Sequence, residues 1–164
     1  MKPNEIIYLN NFGVSKIVEC SPDLVYIEPL YGCRGVIQLA SDSKNIRPLL
    51  KKDEVDKIID EVKDYKTTWI TKFITRENKY ASIKKNPTPE LILRELKTIY
   101  NQYKYKKDNK IKGGLSTRDL DFFHKSLDLL FNEFARVLEI DFKDVAKYIS
   151  NKWSDLNVLD YYNL

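Results

Sequence analysis

Few residues in this sequence have the types and spacing that catalysis requires. Its 164 residues include one histidine, His124, and two cysteines, Cys20 and Cys33. Because the cysteines lack the close spacing of a metal site and are too few for a disulfide scaffold, we expect free thiols in a reducing cytoplasm. His124 falls on or beside an apolar stripe, where a core or flanking role is expected rather than a catalytic one.

The remaining motifs also point away from catalysis. Asp119 and Asp121 are two positions apart, so on a helix they face different directions and cannot work as a pair. The sequence KGG at residues 112–114 lacks the spacing and the preceding strand of a phosphate-binding loop. We therefore predict a binding protein that is not an enzyme and that uses no cofactor and no metal.

Positive charge is concentrated in one stretch of the chain. The formal net charge is +4, but Lys66–Lys112 contains thirteen basic residues and four acidic ones. Such a local excess suits a polyanionic partner such as nucleic acid. A solvated lysine-rich surface is the alternative, and charge alone does not decide between the two.

Trp69, one of two tryptophans, lies inside this basic stretch, in KTTWITKFITRENKY (residues 66–80). Its spacing to Phe73 and Tyr80 fits one face of a helix, which favours a position in the core. The opposite interpretation holds the indole out as a contact residue where the helix begins, with Thr67 or Thr68 as the N-cap. The residues by themselves leave both interpretations open.

The elements that must position these residues differ between the two ends of the chain. Residues 1–50 contain short segments rich in Val, Ile and Tyr, which turn-forming residues separate. They predict four or five strands of a small, strongly bent sheet, built from EIIYL, VSKIVEC, LVYIEPL and GVIQLA. Such a sheet seldom hides every edge, so one strand could pair with another protein.

Helical periodicity begins at Asp53, where apolar residues recur three and four positions apart. Thr88 is a predicted N-cap with Pro89 in the first turn, and Ser116 forms a capping box with Asp119. The box precedes the longest apolar stripe: Leu120, Phe123, Leu127, Leu130, Phe131, Phe134 and Leu138. A last helix is predicted from Phe142. The pattern predicts an α+β protein, and without a signal peptide or a membrane-spanning run we expect it in the cytoplasm.

The order of these motifs resembles the CarD family of bacterial RNA polymerase-binding transcription regulators (CarD/CdnL-like). The resemblance covers about residues 5–150 and rests on YLNNFGVSKIVEC, GVIQLA, IRPLLKKDEVDKIIDEV, TTWITKF, LILRELKTIY and LSTRDLDFFHKSLDLLFNEFARVL. It implies a small Tudor-like (SH3-like) β module over residues 1–52 and an all-α helical bundle domain over residues 53–164.

The resemblance also implies a partner for the β module. In this family the module binds the β subunit of RNA polymerase by strand-to-strand pairing. The matching residues here are Arg34, Val36, Ile37, Gln38 and Leu39. Gln38 stands where some relatives have a basic residue, so backbone hydrogen bonds would persist while a side-chain salt bridge would be lost.

The helical domain, by the same resemblance, meets promoter DNA in the minor groove at the upstream edge of the open bubble, without strong sequence specificity. Trp69 matches the wedge that stabilises the melted complex, and Lys72 stands where the family usually has an arginine. Helical geometry, rather than the resemblance, adds Arg76 and Lys79 as further DNA contacts, one and two turns along the predicted helix. The wedge role predicts a largely exposed indole. We also expect the protein to be a monomer that associates with the nucleoid. The alternative is a protein–protein adaptor without DNA contact, in which Trp69 belongs to the core.

Overall fold

A computed structural model of the chain describes residues 1–32 and 34–153. Within these residues an antiparallel sheet of five strands precedes five helices, which confirms the predicted α+β class. The strands are β1 (Ile6–Leu9), β2 (Gly13–Cys20), β3 (Leu24–Pro29), β4 (Ile37–Ala40) and β5 (Ile46–Pro48). The helices are α1 (Lys52–Lys63), α2 (Phe73–Lys85), α3 (Pro89–Asp108), α4 (Thr117–Leu138) and α5 (Phe142–Ser150).

Two of the sequence-based expectations concern residues that the structure does not describe. Cys33, one of the two predicted free thiols, lies outside the described residues, whereas Cys20 is a free cysteine. The C-terminal end of the predicted helical domain, residues 154–164, also lies outside them.

The sheet has the strand order β4-β3-β2-β1-β5, and all neighbours are antiparallel. The register between β2 and β3 shifts between Ile17 and Glu19, an irregularity of the kind that increases strand twist. One apolar cluster forms the core of the sheet: Ile7, Leu9, Ile17, Val25 and Ile27. The order leaves β4 and β5 as the edge strands, and β4 has a single neighbour among the described strands.

The helices bury one continuous core, and the helix caps predicted at Thr88 and Ser116 are confirmed. The Thr88 hydroxyl accepts a hydrogen bond from the Leu91 N–H at 3.3 Å. The Ser116 hydroxyl accepts one from the Asp119 N–H at 3.2 Å, and the Asp119 carboxylate accepts the Ser116 N–H in return. Six of the seven residues in the α4 stripe are buried: Phe123, Leu127, Leu130, Phe131, Phe134 and Leu138. No helix in the described residues has the length and apolar character needed to cross a membrane.

The predicted start of the second helix is wrong, because α2 begins at Phe73 and neither threonine before Trp69 caps it. The chain between α1 and α2 is instead held by side chains of α3. The Lys97 ammonium donates to the backbone carbonyls of Val62 and Tyr65, and the Asn101 amide donates to the Thr67 hydroxyl at 3.0 Å. Several β-branched residues in this segment also disfavour a helix.

An ion pair between a half-buried arginine and a buried glutamate joins the sheet to the helices. The Arg47 guanidinium, in the middle of β5, donates to both carboxylate oxygens of Glu133 on α4 at 2.6 and 2.7 Å. The Glu133 carboxylate also accepts the Leu50 N–H at 3.1 Å and is fully buried. Arg47 lies 3.9 Å from the centre of the Tyr8 ring. Burial, with the nearby Glu133 charge, raises the pKa of Tyr8 to about 12.

Close backbone contact adds to this ion pair. Gly13 has a φ of +78°, and a Cβ at that position would lie 3.0 Å from the Leu129 side chain on α4. A glycine therefore serves two needs at the first residue of β2, a left-handed backbone and close approach to a helix. The sheet and the helical part consequently pack against each other rather than being joined only by a linker.

We predict that Arg47→Met lowers the free energy of unfolding by about 3 kcal/mol, because it leaves the Glu133 carboxylate buried without its cation. Chemical denaturation followed by circular dichroism measures the loss. Lys57→Met removes an exposed ion pair with Glu61 on α1 and should change stability by less than about 0.5 kcal/mol. Equal losses in the two variants would contradict a stabilising role for the buried pair.

Candidate functional site

Trp69 lies at one end of the helical part, and Arg76 makes the central contacts there. Its side chain is buried, with 8% of the residue exposed. The guanidinium donates to both carboxylate oxygens of Asp119 on α4, at 3.0 and 3.1 Å. Its third nitrogen donates to the backbone carbonyls of Ile70 and Thr71, at 2.8 and 3.0 Å. Arg76 therefore ties α4 to the segment that precedes α2.

Asp119 receives a complete set of donors. Besides Arg76, the Tyr80 hydroxyl donates to it at 2.8 Å, and the hydroxyl and N–H of Ser116 donate at 2.6 and 3.1 Å. Burial opposes the charged form of this carboxyl, but the hydrogen bonds from Arg76, Ser116 and Tyr80 outweigh it and hold the pKa of Asp119 below its usual range. Burial and the same carboxylate raise the pKa of Tyr80 well above its ordinary value. The Asp119 carboxylate is therefore ionised at neutral pH, and its oxygens are occupied by hydrogen bonds within the protein.

Trp69 lies against this network and is half-buried, packed on the edge of the helical core. The Arg76 guanidinium is 4.5 Å from the centre of its ring and 5.7 Å from the centre of the Phe73 ring. The expectation of a largely exposed indole is wrong, because the guanidinium and the helical core cover part of it. The ring is equally not a fully enclosed core residue.

Two of the predicted phosphate contacts are occupied within the protein. The Arg76 guanidinium is hydrogen-bonded to Asp119 and to the two carbonyls. Its charge therefore does not face solvent, contrary to the prediction. The Lys79 ammonium pairs with the buried Glu95 carboxylate of α3. Lys72 is exposed, and its carbonyl accepts the Arg76 N–H at the start of α2. Of the predicted basic contacts, only Lys72 therefore remains presented at this end.

The sequence pattern placed Phe73 on the packing face of the predicted helix with Tyr80, yet Phe73 and its neighbour Ile74 are both exposed. They occupy the first turn of α2, next to Lys72 and Trp69. An apolar surface with one flanking lysine therefore extends the part of the indole that is accessible. Phe73 and Tyr80 are seven positions apart on α2, yet only Tyr80 is buried, because Phe73 lies in the first turn at the end of the helix.

The residues predicted for polymerase binding come together at the free edge of the sheet. Ile37 and Leu39 are half-buried and pack on the apolar cluster of the sheet. Gln38 alternates with them and is exposed, and Val36, just before β4, is 55% exposed. Arg34 is exposed in the preceding loop. Because β4 pairs with β3 on one side only, its other side presents backbone groups to a possible partner strand.

No protein-family model and no curated protein matches this sequence. The geometry described above and the order of the motifs therefore carry the functional interpretation.

We predict that Asp119→Asn destabilises the protein by about 3 kcal/mol at pH 7, because Arg76 loses its buried counter-charge. Since the pKa of Asp119 is lower in the folded than in the unfolded protein, its stabilisation is complete above the unfolded pKa near 4 and is lost as the pH falls through the folded pKa. The difference from wild type should therefore shrink in strongly acidic solution, as measured by urea unfolding across pH.

Asp121→Asn is the matched control for this prediction. Asp121 is an exposed aspartate on the same helix, two residues away, and its substitution should change stability little at any pH. A wild-type advantage over Asp119→Asn that stays constant down to pH values below the folded pKa would contradict the assigned role of the carboxylate.

Proposed function

We propose that this protein is a CarD-like transcription regulator. The edge strand β4 of its Tudor-like module binds the β subunit of RNA polymerase, and the end of the helical domain that carries Trp69 meets promoter DNA and stabilises the open complex. The protein acts in the cytoplasm, at the nucleoid. The observation that supports this proposal most is the free edge of β4, which coincides with the segment that resembles the polymerase-binding strand of the family.

Pairing through β4 needs little from its side chains. An added strand is held mainly by main-chain hydrogen bonds, while alternate side chains give specificity. Half-buried Ile37 and Leu39 anchor the strand to its own sheet, which leaves Val36 and Gln38 for contact with the partner. The presence of Gln38 instead of a basic residue changes that contact without affecting the backbone pairing.

The Trp69 end supports a role at the edge of melted DNA. The Arg76 guanidinium packs over the Trp69 ring, and Lys72, Phe73 and Ile74 are exposed beside it. Apolar side chains that enter the minor groove at an unstacked step oppose its closure, and a lysine beside them binds phosphate without reading sequence. A stabilisation of about 1.4 kcal/mol shifts the opening equilibrium tenfold, so a small contact suffices.

A second candidate is a polymerase-binding adaptor without DNA contact. The observation that favours it is the internal use of the predicted DNA contacts: Trp69 is half-buried, Arg76 is buried with Asp119, and Lys79 pairs with Glu95. Both candidates share the β4 edge, so they differ in what the Trp69 end does once polymerase is bound.

We predict that the double substitution Val36→Glu/Gln38→Glu abolishes co-purification with RNA polymerase, because it adds two negative charges to the contact face of β4. The matched control is Val18→Glu/Asn45→Glu, which makes the same type of change at exposed positions of other strands and loops of the sheet. Polymerase binding should persist in the control. Retention of polymerase by the β4 variant would refute this edge as the binding site.

We predict that Trp69→Ala shortens the lifetime of the open complex about tenfold in reconstituted transcription while polymerase remains bound. Leu91→Ala, which truncates an exposed apolar residue at the start of α3, is the control and should leave the lifetime unchanged. Because Trp69 is half-buried, the folded fraction of each variant is measured first. An unchanged lifetime with folded, polymerase-bound Trp69→Ala would support the adaptor instead.

A further inference from the structure

We propose that the last turn of α3 and the loop that follows it form a binding surface for single-stranded nucleic acid. The surface, here called the α3–α4 loop surface, comprises residues 103–115. It goes beyond the proposed function, which assigns no role to these residues, and it can be tested with the protein alone.

Charge is the first observation. Five lysines and one acidic residue fall within nine positions: Lys104, Lys106, Lys107, Lys110, Lys112 and Asp108. Lysines in the last turn of a helix are explained by the helix dipole, which accounts for Lys106 and Lys107. Lys110 and Lys112 lie beyond the helix and are exposed. Their position suits a polyanion better than it suits the stability of the helix.

Hydrogen bonds to the last turn of α3 hold the loop in a defined conformation. The Lys106 ammonium donates to the backbone carbonyls of Gly113 and Gly114 at 3.2 and 2.7 Å. The Ile111 N–H donates to the Lys106 carbonyl at 2.9 Å, which closes the loop onto the end of α3. Gly113 supplies the left-handed backbone, with a φ of +87°, that this return requires. Lysines on a pre-formed loop lose less conformational entropy when they bind phosphates.

An exposed aromatic ring is the observation that selects single strands. Tyr105 is 56% exposed and Ile111 is 44% exposed, so residues 103–115 contain an accessible tyrosine and an accessible aliphatic side chain in addition to the lysines. A base can stack on such a ring only when it is unpaired, and lysines interleaved with aromatics are the general pattern of single-strand binding. Duplex DNA would use the lysines and leave the tyrosine without a partner.

The surface adjoins the end of the helical part that carries Trp69. Asn101, one turn before Tyr105, donates to Thr67 in the segment that leads to Trp69. At the other end of the loop, Ser116 donates to the Asp119 carboxylate that holds Arg76. A strand unpaired at the Trp69 end could therefore continue over the α3–α4 loop surface.

Fluorescence anisotropy with labelled oligonucleotides of about 15 nucleotides tests the proposal, using single-stranded DNA, single-stranded RNA and duplex DNA of matched sequence over a range of salt concentrations. Wild-type protein should bind a single strand more tightly than the duplex. The preference between the DNA and RNA strands identifies the source of the ligand. Because no polymerase is present, failure here leaves the proposed function standing, and failure of the β4 test leaves this surface standing.

Two variants locate the binding, each with a matched control. Lys110→Gln/Lys112→Gln should reduce the slope of log affinity against log salt by about 1.4 if both lysines contact phosphates of a single strand. Tyr105→Ala should weaken binding at least about fivefold through loss of stacking. The controls are Lys44→Gln/Lys147→Gln and Tyr31→Ala, at exposed positions elsewhere, and they should bind as wild type does.

The proposal is overturned if wild-type protein does not bind single strands at low salt, or if the duplex binds at least as tightly. It is also overturned if either loop variant binds as its control does. Since every substituted side chain is exposed, circular dichroism should show that all four variants are folded.

Discussion

The ion pair between Arg76 and Asp119 is the interaction on which the functional end of the helical part depends. Taking two charges out of water is costly, and the cost is offset only when both partners are fully hydrogen-bonded. Asp119 meets this condition with donors from Arg76, Tyr80 and Ser116, and Arg76 meets it with two further backbone carbonyls. One buried pair thereby fixes the start of α4, the position of α2 and the irregular segment that carries Trp69.

A second arginine–carboxylate pair does the same work at the opposite end of α4. Arg47 of β5 reaches Glu133, which lies about four helical turns from Asp119. α4 thus supplies a buried carboxylate to each end of the molecule and links the sheet to the Trp69 end through a single rigid element. If β4 binds one partner and the Trp69 end another, the distance between the two contacts is set by this helix, which lowers the ordering cost of binding both.

Several cations of the basic stretch Lys66–Lys112 have partners within the protein, so the whole stretch is not available to bind a polyanion. Arg76, Lys79 and Arg94 pair with acidic side chains, and Lys97 donates to carbonyls at the end of α1. These cations stabilise the helical part and are poorly placed to contact phosphates. The positive charge available to a partner is carried instead by residues such as Lys72, Lys110 and Lys112, which are exposed. A charge count along the chain therefore located the basic region without identifying which of its members reach the surface.

The sequence by itself determined the features that depend on neighbouring residues. The change from strand-like to helical periodicity, the caps at Thr88 and Ser116, and the buried stripe of α4 all rest on contacts within a few positions, so local pattern predicts them. The free strand edge was also foreseen in general terms, because a small sheet rarely closes on itself.

Only the tertiary structure decided how Trp69 is presented. Arg76 could have pointed to solvent, and no local pattern reveals that its carboxylate lies 43 positions further along the chain. Long-range contacts also explain why α2 begins late. Lys97 and Asn101 of α3 bind the segment before α2, although they lie more than thirty positions from it in the sequence. Long-range pairs of buried polar groups override local helix preference, because leaving such groups unpaired costs more free energy than a few residues of helix can return.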